Sequence, residues 1–537
     1  MNKIRSFFTV GLLWCCFGHV LWAQALTVHV SQQQIPVLKN KGMNKLISVQ
    51  CIPNGTVSME GLKLTFKGTT SREDIAKIYL VQEGKEQIIL AESGVSKSSM
   101  FLPISISFSD TINLAVFCDL EPQASLLHFV DVQCTEMVTT TGVVKPQDNT
   151  IRGQRVGIAV QDRKWGNVDT YRIPGLATTK NGSLIAVYDA RREYSRDLQG
   201  HMDIGVSRSV DGGHNWEPMR VALDMGTWGG LPEKFNGVSD ACVLADPKTG
   251  TIWVAGLWMH GILDKDGKWI EGVTDESKNW QHQWAGKGSQ PGLSPKETCQ
   301  FIISRSDDDG QTWSEPVNIT QQTKRPEWWL YAPAPGQGIV LQDGTLVFPT
   351  QGRDKDGIPF SNITYSRDGG RTWISSNPSF TNTTECAVVQ LNDGSLMLNM
   401  RDNRNASEKG EKNGRSVFVT TDLGQTWKEH ESSHGALIEP VCMASLHKHL
   451  YGREREEKTV LLFSNPNSKF HRHHMTIKVS HNDGHTWNSG LLLDEGHGFG
   501  YSCITSISDK LVGILYEGSR AQMTFQVIPL KELLDAK

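Results

Sequence analysis

The chain has 537 residues and a mass of 59.7 kDa, room for about two to four domains with buried cores, which excludes a small stapled scaffold. Charged residues make up 21 % and hydrophobic ones 38 %, and the 51 glycines follow no period, so neither a disordered nor a collagen-like chain fits. A formal charge of −4 without any basic tract argues against nucleic acid as a partner.

Residues 1–25 read as a cleaved secretory signal. Lys3 and Arg5 precede an apolar stretch over residues 7–22, and Ala23-Gln24-Ala25 supplies the small residues a signal peptidase needs. That run is shorter than the roughly 20 apolar residues of a membrane anchor, and no later segment is long enough to span a bilayer. The mature chain is therefore expected to be exported, to the periplasm, the cell surface or the medium, with no transmembrane segment. Lipidation fits poorly, because bulky Trp14 and Cys15 precede Cys16. The eight cysteines that follow are widely spaced and form no CxxC pair. They indicate neither a disulfide framework nor a zinc site, and most are expected to be small buried hydrophobes.

From residue 26 to about 150 the chain offers short alternating runs, such as Leu62-Lys63-Leu64-Thr65-Phe66 and Ile104-Ser105-Ile106-Ser107-Phe108, separated by turn formers. This pattern predicts a small β-sandwich, followed by a polar linker over 150–154. Over residues 155–537 an eight-residue box recurs: Ser209–Trp216, Ser306–Trp313, Ser366–Trp373, and more loosely Thr420–Trp427 and Ser480–Trp487, the last with Asn482 in the aspartate position. In each box an Asp or Asn is placed to cap backbone N–H groups, a Gly to take positive φ and a Trp to anchor the turn, so the boxes are expected to be structural hairpin turns. A second signal, a turn followed by an apolar strand, recurs six times: before Leu184, Ile252, Leu346, Leu396, Val460 and Leu511. Six units of roughly 63 residues suit four-stranded blades with loops, and so predict an all-β, six-bladed β-propeller. The excess in the second unit, between Trp258 and Thr298, reads as a long loop.

If the turn-then-strand is the second strand of each blade, counting back 10 to 12 positions reaches the start of the innermost strand. That places Arg172, Asp240, Glu385 and Tyr501 on one face of the ring. The ends of the second strands, or the loops after them, return Arg191, Asp197, Arg401 and Arg472 to the same face, while the boxes fall on the other. One Arg or Asp at a strand end is usually a surface charge. Several arginines with carboxylates and a tyrosine at one channel mouth predict an anion-binding site, because Arg grips a carboxylate with a planar fork of donors.

Tyr171-Arg172-Ile173-Pro174, Asp189-Ala190-Arg191-Arg192 with Asp197, and the five boxes together resemble the bacterial sialidase (neuraminidase) family over residues 155–537. The resemblance implies an exo-α-sialidase acting on sialylated glycans of glycoproteins, glycolipids and oligosaccharides. It implies that Arg172, Arg401 and Arg472 bind the sialic acid carboxylate, and that Arg191 and Asp240 contact the sugar's 4-hydroxyl. It further implies that Tyr501 is the nucleophile with Glu385 as its base, and that Asp197 is the acid/base. Asp203, the rival for that last role, is expected to be structural. A phenol can approach an anomeric centre that carries a carboxylate without bringing a second negative charge, and sialidases with a Tyr nucleophile are an exception to the two-carboxylate rule of glycoside hydrolysis. No cofactor is implied. A metal at His471, His473 and His474 is disfavoured because Arg472 stands among them without a carboxylate or cysteine at ligand spacing. Two other readings stay open: a trans-sialidase using the same residues, and a non-enzymatic sialoglycan-binding propeller, against which the presence of Tyr501, Glu385 and Asp197 together argues. The N-terminal sandwich resembles those that precede such catalytic domains and would either bind carbohydrate or orient the propeller.

Overall fold

The alternating segments near the N-terminus pair into two antiparallel sheets. One runs in the order Leu26–Ser31, Asn44–Pro53, Ile112–Leu120, Ile75–Glu83, Ile88–Ser93, and the other Gly142–Val144, Gln133–Thr139, Val57–Thr65, Ser99–Phe108. Leu62 and Leu64 are buried and Lys63 between them is exposed, as a two-residue period on a half-buried sheet requires. The structure is a computed structural model, which describes residues 26–148, 152–197, 200–280 apart from positions 262, 265, 267 and 269, 289–452 and 458–536. The signal-peptide reading and the start of the expected linker lie outside the described residues.

Six further sheets follow in a ring. The segments beginning at Leu184, Ile252, Leu346, Leu396, Lys458 and Leu511 are the second strands of successive blades, each flanked by an inner and a third strand. The inner strands are Thr170–Thr178, Val238–Ala245, Leu330–Pro333 continued by Ile339–Val340, Thr383–Gln390, Ser445–Tyr451 and Ser502–Ser506. Each touches the next blade, and the sixth touches the first. The sixth blade takes its outermost strand from the other end of the propeller: Gln154–Gln161 pairs antiparallel with Met523–Pro529, Ile158 opposite Phe525. With no turn joining its third and fourth strands, that blade has nowhere to carry a box, which is why six units have five boxes.

All five boxes share one geometry. The hydroxyl of Ser209, Ser306, Ser366, Thr420 or Ser480 accepts from the glycine amide four residues on, and the side-chain Oδ1 of the Asp or Asn accepts from the amide at the Thr or Asn position. Asn482 fills the aspartate role because only an acceptor is needed there. Several of these turns dock on the preceding blade. Gly370 packs on Trp253 and Gly310 on Ile185, while Asp309 accepts from Thr179, Ser183 and Arg208 of the first blade.

The sandwich is fused to the closing blade. Val37–Leu38 pairs parallel with Gln154–Gln161, and Phe129–Val130 pairs with the start of the same strand. One apolar core runs from Leu126 and Val130 through Val156 to Tyr171 and Phe525. All eight cysteines after residue 25 are buried.

Adjacent glycines in the third box separate backbone strain from packing. Both have positive φ, but a Cβ on Gly369 meets nothing, whereas one on Gly370 would stand 2.4 Å from the Trp253 ring. Gly369→Ala should cost about 1–2 kcal/mol from the left-handed backbone alone. Gly370→Ala should cost about 1–3 kcal/mol more from overpacking. Urea unfolding of the two variants side by side reads the difference, and equal losses would count against the blade-to-blade contact.

Candidate active site

Three inner strands are bulged near their start, between Arg172 and Gly175, Ser239 and Cys242, and Thr383 and Cys386. Ile173 and Asp240 take positive φ there, 64° and 61°. A bulge breaks the regular alternation and re-aims a side chain. Here it interrupts the ladder at the three inner-strand positions that bear Arg172, Asp240 and Glu385. Tyr501 directly precedes the sixth inner strand, Arg191 ends a second strand and Arg401 is next to last in another. Asp197 and Arg472 lie in the connections from second to third strands.

Arg191, Asp197, Asp240, Glu385, Arg401 and Tyr501 line a cavity of about 200 Å³, with Ile173 and Gln351 in its wall. Arg172 and Arg472 adjoin the residues that line it. They reach the centre through the tyrosine, their guanidinium carbons lying 5.3 Å and 5.6 Å from the Tyr501 ring centroid. The Tyr501 hydroxyl donates to Glu385 Oε1. Arg401 Nη1 donates to Glu385 Oε2 at 2.6 Å and to the Tyr501 oxygen at 3.0 Å. Asp197 Oδ1 accepts from Arg191 at 2.6 Å and from Arg172 at 3.3 Å. Its side chain is nonetheless 69 % exposed, at the mouth. Arg472 donates to the carbonyls of Phe499 and Val441. His471 and His473 cluster with each other and His497, and His473 also meets His474. Among the described residues no group of His, Cys, Asp and Glu is placed to hold a metal.

The charges are tuned by their neighbours. Burial, reinforced by the negative charge of Glu385, pushes the Tyr501 phenol well above its ordinary value, so it is neutral before substrate arrives. Burial opposes ionisation of Arg172 and Arg401, but Glu517 in one case and Glu385 in the other outweigh it, and both titrate above their usual range. For Asp197 the desolvation by its surroundings is overcome by Arg191 and Arg172, which hold the carboxyl below its ordinary value. Asp240 goes the other way: burial first, then Asp189, Glu385 and Asp197 raise it well above the usual carboxylate range.

Some of the residues that build the site escape the sequence reading. Glu517 is 2 % exposed and accepts from Arg172 Nε at 2.5 Å, from the Ile173 amide at 2.9 Å and from the Tyr501 amide at 2.9 Å. It follows the second strand of blade six, the position Arg191 and Arg401 occupy in theirs, so counting forward from Leu511 would have reached it. Asp189 accepts from Arg191, from Ser239 and from the Asp240 amide, fixing the bulge of the second blade. Gln351 donates to Asp240 at 3.1 Å. Asp203 is 2 % exposed and paired at 2.7 Å with the half-buried Arg192, at the base of the loop that bears Asp197.

A channel-mouth site on a six-bladed ring with five boxes defines a class of propeller, and comparison places the chain in it. Residues 182–515 match the family described as BNR repeat-like domain. A sialidase of Bacteroides fragilis (strain YCH46) is 46 % identical over 382 residues, covering 71 % of this chain and 66 % of that one. A sialidase of Micromonospora viridifaciens is 30 % identical over 361 residues, 65 % of this chain and 50 % of its own. These alignments thus take in about two thirds and half of the two relatives' lengths. Among solved structures, the Hadza microbial sialidase Hz136 is 39 % identical with a TM-score of 0.83, covering 94 % of this chain and 99 % of that one. The chain belongs to the BNR repeat-like domain family and, within it, to the bacterial sialidases.

Removing Glu517 takes from the buried Arg172 its buried partner and leaves it only the longer pair with the exposed Asp197. Glu517→Ala should cost about 3–5 kcal/mol of unfolding free energy. Asp197→Ala, exposed at the mouth, should cost less than about 1 kcal/mol. Denaturant titration of the pair checks this, and a small loss for Glu517→Ala would deny it a structural part.

Proposed function

We propose that the chain is an exported exo-α-sialidase that releases terminal sialic acid from glycoproteins, glycolipids and oligosaccharides with retention of configuration. The observation that carries this reading is the buried Tyr501 hydroxyl donating to Glu385, with Arg401 bonded to both. A binding module needs the arginines but has no use for a phenol poised on a base. Family membership supports the substrate class, and no helix among the described residues is long and apolar enough to cross a membrane.

In this mechanism the substrate carboxylate takes the donors of Arg172, Arg401 and Arg472, drawing Arg172 from Asp197. Tyr501 attacks the anomeric carbon while its proton passes to Glu385, and the arginines stabilise the developing phenolate. Asp197 protonates the departing glycosidic oxygen. In the second half, Asp197 takes a proton from the water that attacks the sialyl–tyrosine bond, and the phenolate recovers its proton from Glu385. Two inversions give net retention. Arg191 and Asp240 hold the sugar from the far side, where burial and neighbouring carboxylates disfavour the charged form of Asp240.

Proton NMR of a sialyllactose digest should show α-sialic acid as the first product before mutarotation. An anhydro or transferred sugar would move the assignment to a trans-sialidase, and saturable binding without turnover to a lectin. Tyr501→Phe should lower kcat about 10³-fold or more while leaving carboxylate binding largely intact; near-normal turnover would remove Tyr501 from the role of nucleophile. The pH profile has a sign that can be worked out. Asp197 must be protonated to act as the acid, and in the free enzyme its pKa is depressed. A bound carboxylate neutralises Arg172 and brings a like charge, raising that pKa. The alkaline limb of kcat, which reports the complex, should therefore lie at higher pH than that of kcat/KM, which reports the free enzyme. Asp197→Asn should abolish that displacement.

A further inference from the structure

The N-terminal sandwich reaches toward the site with one segment, residues 34–43. Asn40 is bonded to the closing strand in both directions, its amide donating to the Ala159 carbonyl at 2.7 Å and its oxygen accepting from the Ala159 amide at 2.9 Å. Leu38, Ala159 and Ala521 are buried together, with Trp165 packed against them. On this anchorage two loops are held. The first, residues 495–501, ends in Phe499 and Tyr501; the Glu495 amide donates to the Gln34 carbonyl at 2.9 Å, and Gln34 Nε2 donates to the Leu492 carbonyl at 2.8 Å. The second, residues 517–522, begins with Glu517. Lys41 Nζ donates to the Arg520 carbonyl at 2.5 Å and also pairs with Asp162, while Arg520 Nη2 donates to the Met43 carbonyl at 2.9 Å.

From there the bonds run into the site. The Gln522 amide donates to Asp162 Oδ1 at 3.3 Å, and Gln522 Oε1 accepts from the Tyr171 amide at 2.8 Å, next to Arg172. Asp494 ties the two loops together, accepting from the Ser519 amide and hydroxyl at 2.9 Å and 2.7 Å. Glu517 then fixes Arg172, Ile173 and Tyr501. Through these contacts a lysine of the sandwich ends on a carbonyl three residues from Glu517. We propose that the sandwich is a brace for the active site, and that Gln34 and Lys41 with Asp162 are positioning residues that hold Tyr501 and Arg172 in register across the seam between the first and last blades.

The brace matters to catalysis on the reading of Tyr501 as nucleophile given above, but its mechanical part stands apart and is measured apart. In the full-length protein, Lys41→Ala and Asp162→Asn should lower kcat about 10-fold to 100-fold, the scale of a misplacement near 1 Å, with KM within about twofold. Amide hydrogen exchange should speed up over residues 171–175 and 499–503 while the sandwich strands keep their protection. Lys41→Arg should restore much of both. Lys63→Ala, which removes a surface pair with Glu136 on the second sheet, should change neither. Should Lys41→Ala unfold the sandwich, Gln34→Ala decides the matter on the other loop, with the same two readouts. Unchanged exchange at 171–175 and 499–503 overturns the brace. Faster exchange with unchanged kcat overturns its catalytic part. If the parent protein releases no sialic acid, the enzymatic reading falls while the exchange result still decides the brace.

Discussion

Glu517 is the interaction on which the rest of the site depends. One carboxylate, shut off from water, accepts from a guanidinium of the first blade and from backbone amides of the first blade and of the segment entering the sixth. Its charge is compensated by Arg172, and its remaining lone pairs are used by amides that a bulge and a strand entry leave without ladder partners. A buried ion pair seldom adds much net stability, but breaking one is costly. The arrangement therefore confers definition rather than strength: the seam of the ring closes in one register, and Tyr501 and Arg172 are set relative to each other by the same atoms.

Around that point the site is divided by charge. On one side Arg401, Arg172 and Arg472 surround the phenol, each held by a carboxylate, a ring face or backbone carbonyls. On the other, Asp240 is buried beside Asp189, and burial together with the charges of Asp189, Glu385 and Asp197 disfavours its ionisation. Asp197 lies at the mouth between the two, an exposed carboxylate pinned by two guanidiniums. Under the proposed mechanism, an anion that draws Arg172 away would change its state and so couple binding to the proton it would give.

Much of this was legible in the chain. The six turn-then-strand signals mark the six second strands, and the count back from them lands on Arg172, Asp240, Glu385 and Tyr501 because blade geometry fixes the length of a hairpin. What was not legible has physical reasons. The closing strand Gln154–Gln161 pairs with a partner at the far end of the chain, and no local pattern encodes such a pairing. Glu517 was passed over because a lone glutamate after an apolar strand reads as surface charge until its three donors are seen. The bulges were invisible for the opposite reason, since Ile173 is β-branched, a type that rarely takes positive φ. The link between the sandwich and the site lies in carbonyl oxygens, which every residue has.

The closing strand also sets the order in which the molecule becomes itself. The bond from Gln522 to Tyr171 joins positions 351 apart, and such distant contacts form late because loop closure must come first. A chain emerging from its N-terminus has the sandwich, the closing strand and five blades available before the residues that finish the sixth. Until those arrive, Gln154–Gln161 lacks its main partner, Arg172 lacks its carboxylate and Tyr501 has not been made. Assembly of the ring and assembly of the chemistry are thus a single late event, and a chain cut short by even its last few dozen residues is incomplete in both.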